Sequence, residues 1–362
     1  MKVAVILTAR PSWAKLSPVC HALKARSEVE LQLIVCASAL LERYGNVAAL
    51  VEREFPITER VYSVTEGESL ETSAIEVGIL ETALARTFAR LKPDVVIACA
   101  DRHEILAVAG AARMLEITLV HLQGGELSGS VDHDIRNAVT QLADVHCVCT
   151  QRAAMRVYGL TGSDAITVTG CPSIDVAKQA QLQPPVTAEE LGGAGEPIDL
   201  TQPFVTILHH PTTTEVSEAA AQMALLISQP YTRQAALVFW PGEDAGAGAM
   251  SKMIRQAPVD VHTVRNLPPH RFLRLLTQTA CLIGNSSAGI REASYLGVPV
   301  VNVGRRQQGR ERAANVRDID YNGSDLAKAV EAQIGHGPYK SSALYGCGDA
   351  GPRIAEVVYG LR

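Results

Sequence analysis

The sequence predicts an α/β protein with two doubly wound, parallel-sheet domains, and three observations lead to this fold class. Short continuous apolar runs alternate with segments of helical periodicity along most of the chain. The chain has 362 residues, of which 47% are hydrophobic, and this is more than one ordinary core accommodates. A stretch rich in proline, glycine and glutamate, residues 182–203, interrupts the alternation near the middle.

These observations set the expected domain boundaries. Residues 1–181 are expected to form the first domain, 182–203 a linker, and 204–345 the second domain. The last segment, 346–362, is expected to contain a helix that returns to the first domain.

The apolar runs of the first half are typical of parallel strands that are covered on both faces. In chain order the expected strands are Val3–Leu7, Leu31–Cys36, Val95–Ala100, a run ending at Leu122, Val145–Thr150 and Ile166–Thr169. The expected helices are Trp13–Arg26, Glu66–Leu91, Glu104–Leu115, one that begins near Asp132, and Gln151–Leu160.

The second half repeats this alternation. Its expected strands are Phe204–Leu208, Leu237–Trp240, Val261–Val264, Leu282–Asn285 and Val298–Gly304. Its expected helices are Pro269–Gln278, Ala288–Leu296 and, at the end of the chain, Asp349–Leu361.

Composition argues against several classes of protein. A net charge of -5 and a pI near 6.1 are not typical of proteins that bind nucleic acid or membrane surfaces. The eight cysteines include no C-x-x-C pair, which favours a reduced, cytoplasmic protein without a zinc site or a disulfide framework. The first residues have the pattern of a strand and not of a signal peptide, and no apolar run approaches the roughly 18 residues of a membrane span.

The stretch from Gly284 to Arg312 has the pattern of an anion site. A strand end, a small turn at Ser286 and Ser287, and a helical segment leave unpaired N–H groups at a helix N-terminus, where a phosphate binds readily. Glu292, one helical turn further, could accept hydrogen bonds from a ribose diol. Four arginines that suit a diphosphate follow the next strand: Arg305, Arg306, Arg310 and Arg312. The alternative is a capped helix start followed by a solvated loop.

Further polar residues follow other predicted strands, at the edge where α/β sheets bind ligands. Arg10 follows the first strand and could instead be a surface side chain. Asp101 follows the third and could instead cap the next helix. His209 and His210 are neighbours, so on a strand they would point to opposite faces, which disfavours a metal site.

These motifs together resemble the hydrolysing UDP-N-acetylglucosamine 2-epimerases, the branch that opens sialic acid synthesis. The matching segments are Gly284–Ser287 with Gly289 and Arg291–Glu292, then Gly304, Arg306–Gln307 and Gly309–Glu311, the Gly124–Glu126 motif with its downstream Asp132 and Arg136, and His210–Pro211 with Thr213. The resemblance runs from Arg10 to Arg310. It implies Rossmann-like domains in the glycosyltransferase-B-like arrangement, a nucleotide sugar in the interdomain cleft, no metal or other cofactor, and a homodimer.

The resemblance also implies roles for individual residues. Proton transfer at C2 of the sugar is assigned to the carboxylates Asp101, Glu126 and Asp132, with Gln123 and His210 beside them. The residues implied to bind the nucleotide are Arg10, Arg102, Ser286, Ser287, Gly289, Glu292, Arg306 and Arg310.

Four residues depart from the family pattern and leave the substrate open. Gln123 stands where a Glu is frequent, and glutamine cannot exchange a proton at neutral pH. Ala39 and Asn137 each replace a His, and Ala100 replaces a Gly. The alternatives are a 2-epimerase for a UDP-2,4-diacetamido-trideoxyhexose on the way to legionaminic acid, a glycosyltransferase of similar fold, and a silent nucleotide-sugar-binding protein.

Overall fold

The computed structural model describes residues 1–67, 69–228, 234–242, 244–258 and 261–361. The chain forms two compact units. The first comprises Met1–Glu126, Val131–Val176 and Tyr345–Arg362, and the second comprises Leu127–Ser130 and Ala177–Leu344. The domain boundaries expected from the sequence stay a prediction.

The first unit is built on a parallel sheet of seven described strands in the order β3-β2-β1-β4-β5-β6-β7. The strands are β1 Lys2–Leu7, β2 Glu30–Cys36, β3 Glu59–Val61, β4 Val95–Cys99, β5 Thr118–Leu122, β6 Val145–Val148 and β7 Ile166–Val168. The helices are α1 Arg10–Lys24, α2 Val47–Val51, α3 Leu70–Leu91, α4 His103–Met114, α5 Asp132–Leu142, α6 Gln151–Thr161 and α7 Pro172–Ala180, which ends among residues of the second unit.

The central strand β1 shows why this sheet is buried on both sides. Its odd-numbered apolar residues, Val3, Val5 and Leu7, pack in one core cluster with α1. Ala4 and Ile6 point the other way and pack in a second cluster with residues of α3 and α4. A strand covered on both faces has no polar alternation, which is the pattern seen in the sequence.

The second unit repeats the architecture with a parallel sheet of six described strands in the order β10-β9-β8-β11-β12-β13. The strands are β8 Phe204–Leu208, β9 Ala235–Phe239, β10 Val261–Val264, β11 Cys281–Gly284, β12 Val300–Val303 and β13 Val316–Ile319. The helices are α8 Ala188–Leu191, α9 Ala219–Ser228, α10 Ala247–Arg255, α11 Pro269–Leu276, α12 Ser287–Ile290, α13 Glu292–Leu296 and α14 Gly323–His336. The predicted fold class is confirmed.

Each sheet has one position where the strand order reverses, between β1 and β4 in the first unit and between β8 and β11 in the second. Loops diverge at such a position, and ligands of doubly wound sheets bind there, beyond the carboxyl ends of the strands. In the first unit these loops carry Arg10 and Asp101. In the second unit they carry His210 and the Ser286–Ser287 turn.

The C-terminal helix α15, Ala350–Tyr359, packs against α1 in the first unit. Its first N–H groups, those of Ala350 and Gly351, donate to the Asp175 carboxylate at 3.0 and 2.7 Å. Burial nevertheless raises the pKa of Asp175. These bonds satisfy orphan donors of the helix and fasten it to α7.

Several element bounds differ from the predicted ones. Helix α3 begins at Leu70 and not at Glu66, because Ser69 and Thr72 form a capping box that fixes its start. Within the predicted range, Glu68 lies outside the described residues. Helix α1 begins at Arg10, three residues before the predicted start, with Pro11 in its first turn. The predicted helix 288–296 is two short helices, described with the site below.

Left-handed residues terminate three strands of the first sheet. Ala37, Ala100 and Gln123 directly follow β2, β4 and β5, and their φ angles are 50°, 71° and 67°. A residue with a Cβ is strained in this region, whereas glycine is not. The glycine that the family pattern has at position 100 is therefore explained by the backbone conformation that this turn requires.

Replacement of Ala100 by Gly is expected to stabilise the protein by about 1 kcal/mol, because it relieves this strain. Ala98 lies in β4, the strand that precedes Ala100, and has no positive φ angle, so Ala98→Gly is the matched control and is expected to destabilise the protein. Urea unfolding of both variants measures the effect. Equal destabilisation by the two substitutions would show that the turn at Ala100 is unstrained.

Candidate active site

Asn285 organises the loops at the strand-order reversal of the second sheet. Its side chain is buried and makes two hydrogen bonds to the backbone of His210: Oδ1 accepts from the N–H at 2.8 Å, and Nδ2 donates to the carbonyl at 2.8 Å. Its own carbonyl accepts from Arg306 Nη1 at 3.2 Å and from Gln307 Nε2 at 2.8 Å. One residue therefore holds three loops together.

The turn after β11 differs from the single helix that the sequence predicts. Ser286 caps α12, and its hydroxyl accepts from the Ala288 N–H at 3.3 Å. Helix α12 ends after one turn, because Arg291 has φ -96° and ψ -72°, well away from ideal helical values, and α13 begins at Glu292. The prediction of a continuous helix over 288–296 is therefore wrong.

Gly289, which was predicted to contact a nucleotide, also has a packing role. A Cβ on Gly289 would lie 3.0 Å from Cγ1 of Val300 and 3.6 Å from Cδ2 of Leu282. Its N–H donates to the Ser286 carbonyl at 3.1 Å. The missing side chain lets α12 approach the sheet closely, and the contact with a nucleotide stays a prediction.

The four arginines of this region do not share one role. Arg312 donates to both carboxylate oxygens of Asp318, at 3.3 and 3.0 Å, and to the carbonyls of Gln307 and Arg310, both at 2.8 Å, so it has a structural role. Arg305 is exposed. Arg306 and Arg310, the two that the resemblance assigns to the nucleotide, remain as candidates.

The segment Leu127–Ser130 packs with the loop that carries these two arginines, and both belong to the second unit. The Gly129 N–H donates to the Arg306 carbonyl at 3.0 Å, and Arg310 Nε donates to the Leu127 carbonyl at 3.3 Å. A Cβ on Gly129 would lie 2.1 Å from the Arg305 carbonyl oxygen, so only glycine fits this approach. The glycine after Ser128 is thus explained by packing.

Glu292 has an unusual environment for a carboxylate. It is 7% exposed, and its Oε2 has no hydrogen-bond partner within the described part of the chain. A buried carboxylate oxygen without a donor is costly, which favours a position that a ligand hydroxyl completes.

The two adjacent histidines after β8 have different environments. His209 is fully buried, its Nε2 lies 3.2 Å from the Tyr321 hydroxyl, and burial lowers its pKa to about 3. His210 is partly exposed, and Asn285 fixes its backbone. Only His210 is therefore placed to contact a ligand. Within the described ranges, no three or more His, Cys, Asp or Glu residues are grouped so as to hold a metal ion.

In the first unit, the buried Arg136 of α5 joins two of the predicted catalytic residues. Its Nη2 forms an ion pair with Oδ2 of Asp101, and its Nη1 donates to the carbonyl of Glu126 at 2.7 Å. The N-cap position of α4 is Arg102, whose side chain makes no capping hydrogen bond, and Asp101 precedes it. The opposite charge of Arg136 favours the ionised form of Asp101, which is the form that a general base requires.

Asp132 is the first residue of α5, so it lies near the positive end of that helix dipole. It is partly buried, whereas Asp134 in the same turn is exposed. The helix that carries Asp132 also carries Arg136, and this places three of the predicted groups around the start of α5.

Arg102 pairs with a buried carboxylate. Its guanidinium donates to the carboxylate of Glu104, with Nε 3.1 Å from Oε2. His103 lies between Glu104, 3.6 Å from Nδ1, and Glu76, 3.3 Å from Nε2. Although burial opposes it, the charges of Arg102 and His103 lower the pKa of Glu104. Arg102 thus balances a buried carboxylate, and its assignment to the nucleotide stays a prediction.

Arg10 is the first residue of α1, and burial lowers its pKa to about 10, so it remains cationic at neutral pH. A cation at the N-terminus of a helix is disfavoured by the helix dipole. Helix stability therefore does not account for arginine at this position.

The chain is similar to known proteins in both sequence and fold. The family model described as UDP-N-acetylglucosamine 2-epimerase matches residues 21–359. The chain belongs to the UDP-N-acetylglucosamine 2-epimerase family.

Relatives in this family include a GDP/UDP-N,N'-diacetylbacillosamine 2-epimerase (hydrolyzing) of Campylobacter jejuni, which is 28% identical over 91% of this chain and 86% of its own length. The UDP-N-acetylglucosamine 2-epimerase of Neisseria meningitidis is 27% identical over 99% of this chain and 94% of its own. A solved structure of the UDP-N-acetylglucosamine 2-epimerase of Methanocaldococcus jannaschii, in complex with UDP-N-acetylglucosamine and UDP, is similar in fold. It superposes on this chain with a TM-score of 0.82, at 18% identity over 99% of this chain and 100% of that chain.

Membership of the 2-epimerase family confirms the resemblance drawn from the motifs, and the protein is an enzyme of that family. Two residues with organising roles, Arg136 and Asn285, were quoted in those motifs but not predicted as site residues. The signal for them in the sequence was their place in the matching segments, Gly284–Ser287 for Asn285 and the segment downstream of Asp132 for Arg136. Among the described helices, none is both long and apolar enough to cross a membrane.

Proposed function

We propose that this member of the family is a hydrolysing 2-epimerase that converts UDP-N-acetylglucosamine to N-acetylmannosamine and UDP. A base removes the proton from C2 while the C1–O bond breaks and its electron pair leaves with UDP, which forms a C1–C2 double bond. Water then adds its hydroxyl to C1, and a proton returns to C2 from the opposite face. The reaction consumes one water and needs no redox cofactor.

The observation that carries the proposal is the joining of Asp101 and Glu126 by the buried Arg136. Elimination followed by hydration needs two proton-transfer groups in fixed positions. We assign the base to Asp101, which Arg136 keeps ionised, and the proton transfer on the other face to Asp132. Glu126 is the reserve candidate for either role.

The leaving UDP needs donors for its developing negative charge. In this proposal Arg306, Arg310 and His210 bind the diphosphate together with the Ser286–Ser287 turn, and Arg10 adds a positive charge. The orphaned Oε2 of Glu292 accepts a hydrogen bond from the ribose. Asn285 supports the site by holding the loops that carry these donors.

A second candidate substrate is a UDP-2,4-diacetamido-trideoxyhexose, with the same reaction. Gln123 favours it, because this buried residue replaces an ionisable group in the family pattern. The Campylobacter relative is named for a diacetylbacillosamine nucleotide and the Neisseria relative for UDP-N-acetylglucosamine, and they are 28% and 27% identical to this chain.

Product analysis by NMR in D2O tests the proposal and separates the substrates. Incubation with UDP-N-acetylglucosamine is expected to yield UDP and free N-acetylmannosamine with deuterium at C2. Turnover of the diacetamido sugar alone would select the second candidate. A product that remains linked to UDP would exclude hydrolysis, and no turnover of either sugar would favour a silent binding protein.

Replacement of Arg306 or of Ser287 by Ala is expected to weaken UDP binding by about 1–3 kcal/mol each, as is typical of hydrogen bonds to a charged group. Arg305 neighbours Arg306 but is exposed, so Arg305→Ala is the matched control and should change the affinity little. Calorimetric titration with UDP measures all three. Unchanged affinity in both test variants would move the phosphate site elsewhere.

We also propose that the enzyme is a cytoplasmic homodimer that serves nonulosonic (sialic or legionaminic) acid synthesis. Its described surface includes exposed apolar side chains along α3, namely Leu70, Ile75 and Ile79, which is compatible with a subunit contact. Light scattering of the purified protein tests the dimer.

A further inference from the structure

Gln123 occupies a strained and buried position at the end of β5. It is 1% exposed, its φ angle is 67°, and its N–H donates to the Cys147 carbonyl at 2.9 Å. Such conformations persist only where the surroundings enforce them, and they are concentrated at functional sites. Glutamine at this position is therefore not explained by the backbone, which would favour glycine.

The side chain of Gln123 is oriented by a thiol. Nε2 donates to Sγ of Cys171 at 3.0 Å, and this sulfur lies 2.9 Å from Oγ of Ser173. Cys171 and Ser173 are both fully buried at the start of α7. Because the amide nitrogen faces the sulfur, the orientation of the amide oxygen is also set.

That oxygen, Oε1 of Gln123, is buried and has no hydrogen-bond partner among the residues that the structure describes. Native proteins rarely leave a buried acceptor without a donor. Its place in the sheet indicates what the donor could be. Leu122 and Cys99 are register partners at the ends of β5 and β4, so Gln123 and Asp101 emerge from neighbouring strand ends.

We infer that Cys171 is a positioning residue that orients Gln123, so that Oε1 accepts a hydrogen bond from the sugar of the substrate. The donor is an amide N–H or a hydroxyl group of that sugar, because a fixed carbonyl oxygen can only accept. This inference rests on the proposed function. In this inference Gln123 determines specificity, because it binds the sugar and not UDP.

Kinetics of Cys171→Ala test the inference first. With the accepted UDP-sugar, kcat/KM is expected to fall about tenfold, while the Kd for UDP stays within about twofold of the wild-type value, since one hydrogen bond to the sugar is lost. Cys20→Ala removes another fully buried thiol of the first unit, on α1, and is the control expected to leave kcat/KM unchanged.

A double-mutant cycle separates positioning from a general structural role. In the Gln123→Ala background, Cys171→Ala should have no further effect on kcat/KM, because the group that it orients is absent. A tenfold loss that persists in this background would overturn the inference. Cys171→Ser should recover part of the activity, since its hydroxyl can also accept from Nε2.

The side-chain NH2 resonances of Gln123 provide a readout that does not need turnover. They are assigned by their disappearance in Gln123→Ala. In the wild-type protein these resonances are expected to shift on addition of UDP-N-acetylglucosamine or of the diacetamido sugar nucleotide, but not on addition of UDP. In Cys171→Ala they should differ from the wild-type positions even without ligand. If neither sugar nucleotide is turned over, the proposed function fails while these spectra still decide the role of Cys171. Resonances that respond to no sugar nucleotide, or that ignore Cys171→Ala, would overturn the inference.

Discussion

Asp132→Asn is expected to reduce turnover by about 10²- to 10⁴-fold while UDP binding is retained, because the amide keeps the shape of the carboxylate but cannot exchange a proton. Asp132 begins α5 and is partly buried. Asp134 lies in the same helical turn and is exposed, so Asp134→Asn is the matched control and should retain wild-type turnover. Turnover and UDP affinity are measured for both variants. Wild-type activity of Asp132→Asn would transfer its role to Glu126.

Asp101→Asn should lose turnover to a similar extent, but it should also lower stability. The substitution leaves Arg136, which is fully buried, without its carboxylate partner, and breaking a buried ion pair typically costs about 3–5 kcal/mol. Thermal unfolding and turnover of Asp101→Asn, measured beside the wild type, give the loss of stability and the loss of catalysis separately. An Asp101→Asn variant that is inactive yet as stable as the wild type would show that the ion pair does not fix this carboxylate.

The positions of the strands could be predicted because parallel strands that are buried on both faces appear as continuous apolar runs. Val261–Val264 and Phe204–Leu208 are observed with the predicted bounds. The same logic placed Arg10, Asp101 and His210 at strand ends, and the sheet order now shows that those strands flank the two order reversals. Periodicity was therefore enough to place these residues at the sheet edge where doubly wound folds bind ligands, and their role in the site stays a prediction.

The pairing of charged side chains could not be predicted, even where the two partners are close in sequence. Arg312 is bound by Asp318, and Arg102 is bound by Glu104 two residues away in a network completed by Glu76 from another helix. A motif gives the residue type but not the partner. The break at Arg291 was also hidden, because its neighbours keep a helical spacing on both sides.

Acidification from pH 7 to 5 is expected to destabilise the protein by about 4 kcal/mol, through two buried imidazoles. Burial lowers the pKa of His121 to about 4 and that of His209 to about 3, from the ordinary value of 6.5 for histidine. The folded state therefore keeps both rings neutral over this range, whereas the unfolded chain binds protons below pH 6.5. Stability is fully present above pH 6.5 and falls by about 1.4 kcal/mol per pH unit for each group below it, or about 2 kcal/mol each by pH 5. Glu104, whose pKa is lowered, loses its contribution only below its ordinary value of 4.5.

The hydrogen bonds of His121 explain why its neutral form is enforced. The Ala100 carbonyl, 2.9 Å from Nε2, can only accept, so Nε2 carries the proton and Nδ1 accepts from the Thr140 hydroxyl at 3.1 Å. A second proton would place a donor against that hydroxyl in a fully buried position.

Urea unfolding at pH 7 and 5 measures the loss for the wild type, His121→Gln and His209→Gln. In each variant the loss of stability between pH 7 and 5 should be about 2 kcal/mol smaller than in the wild type, whatever the stability at pH 7. His336 is exposed, so His336→Gln is the control and should show the full loss of the wild type. Because His121 and His209 lie in different units, each variant reports on one unit, and an unchanged slope in either would show that the imidazole in that unit takes up its proton without unfolding.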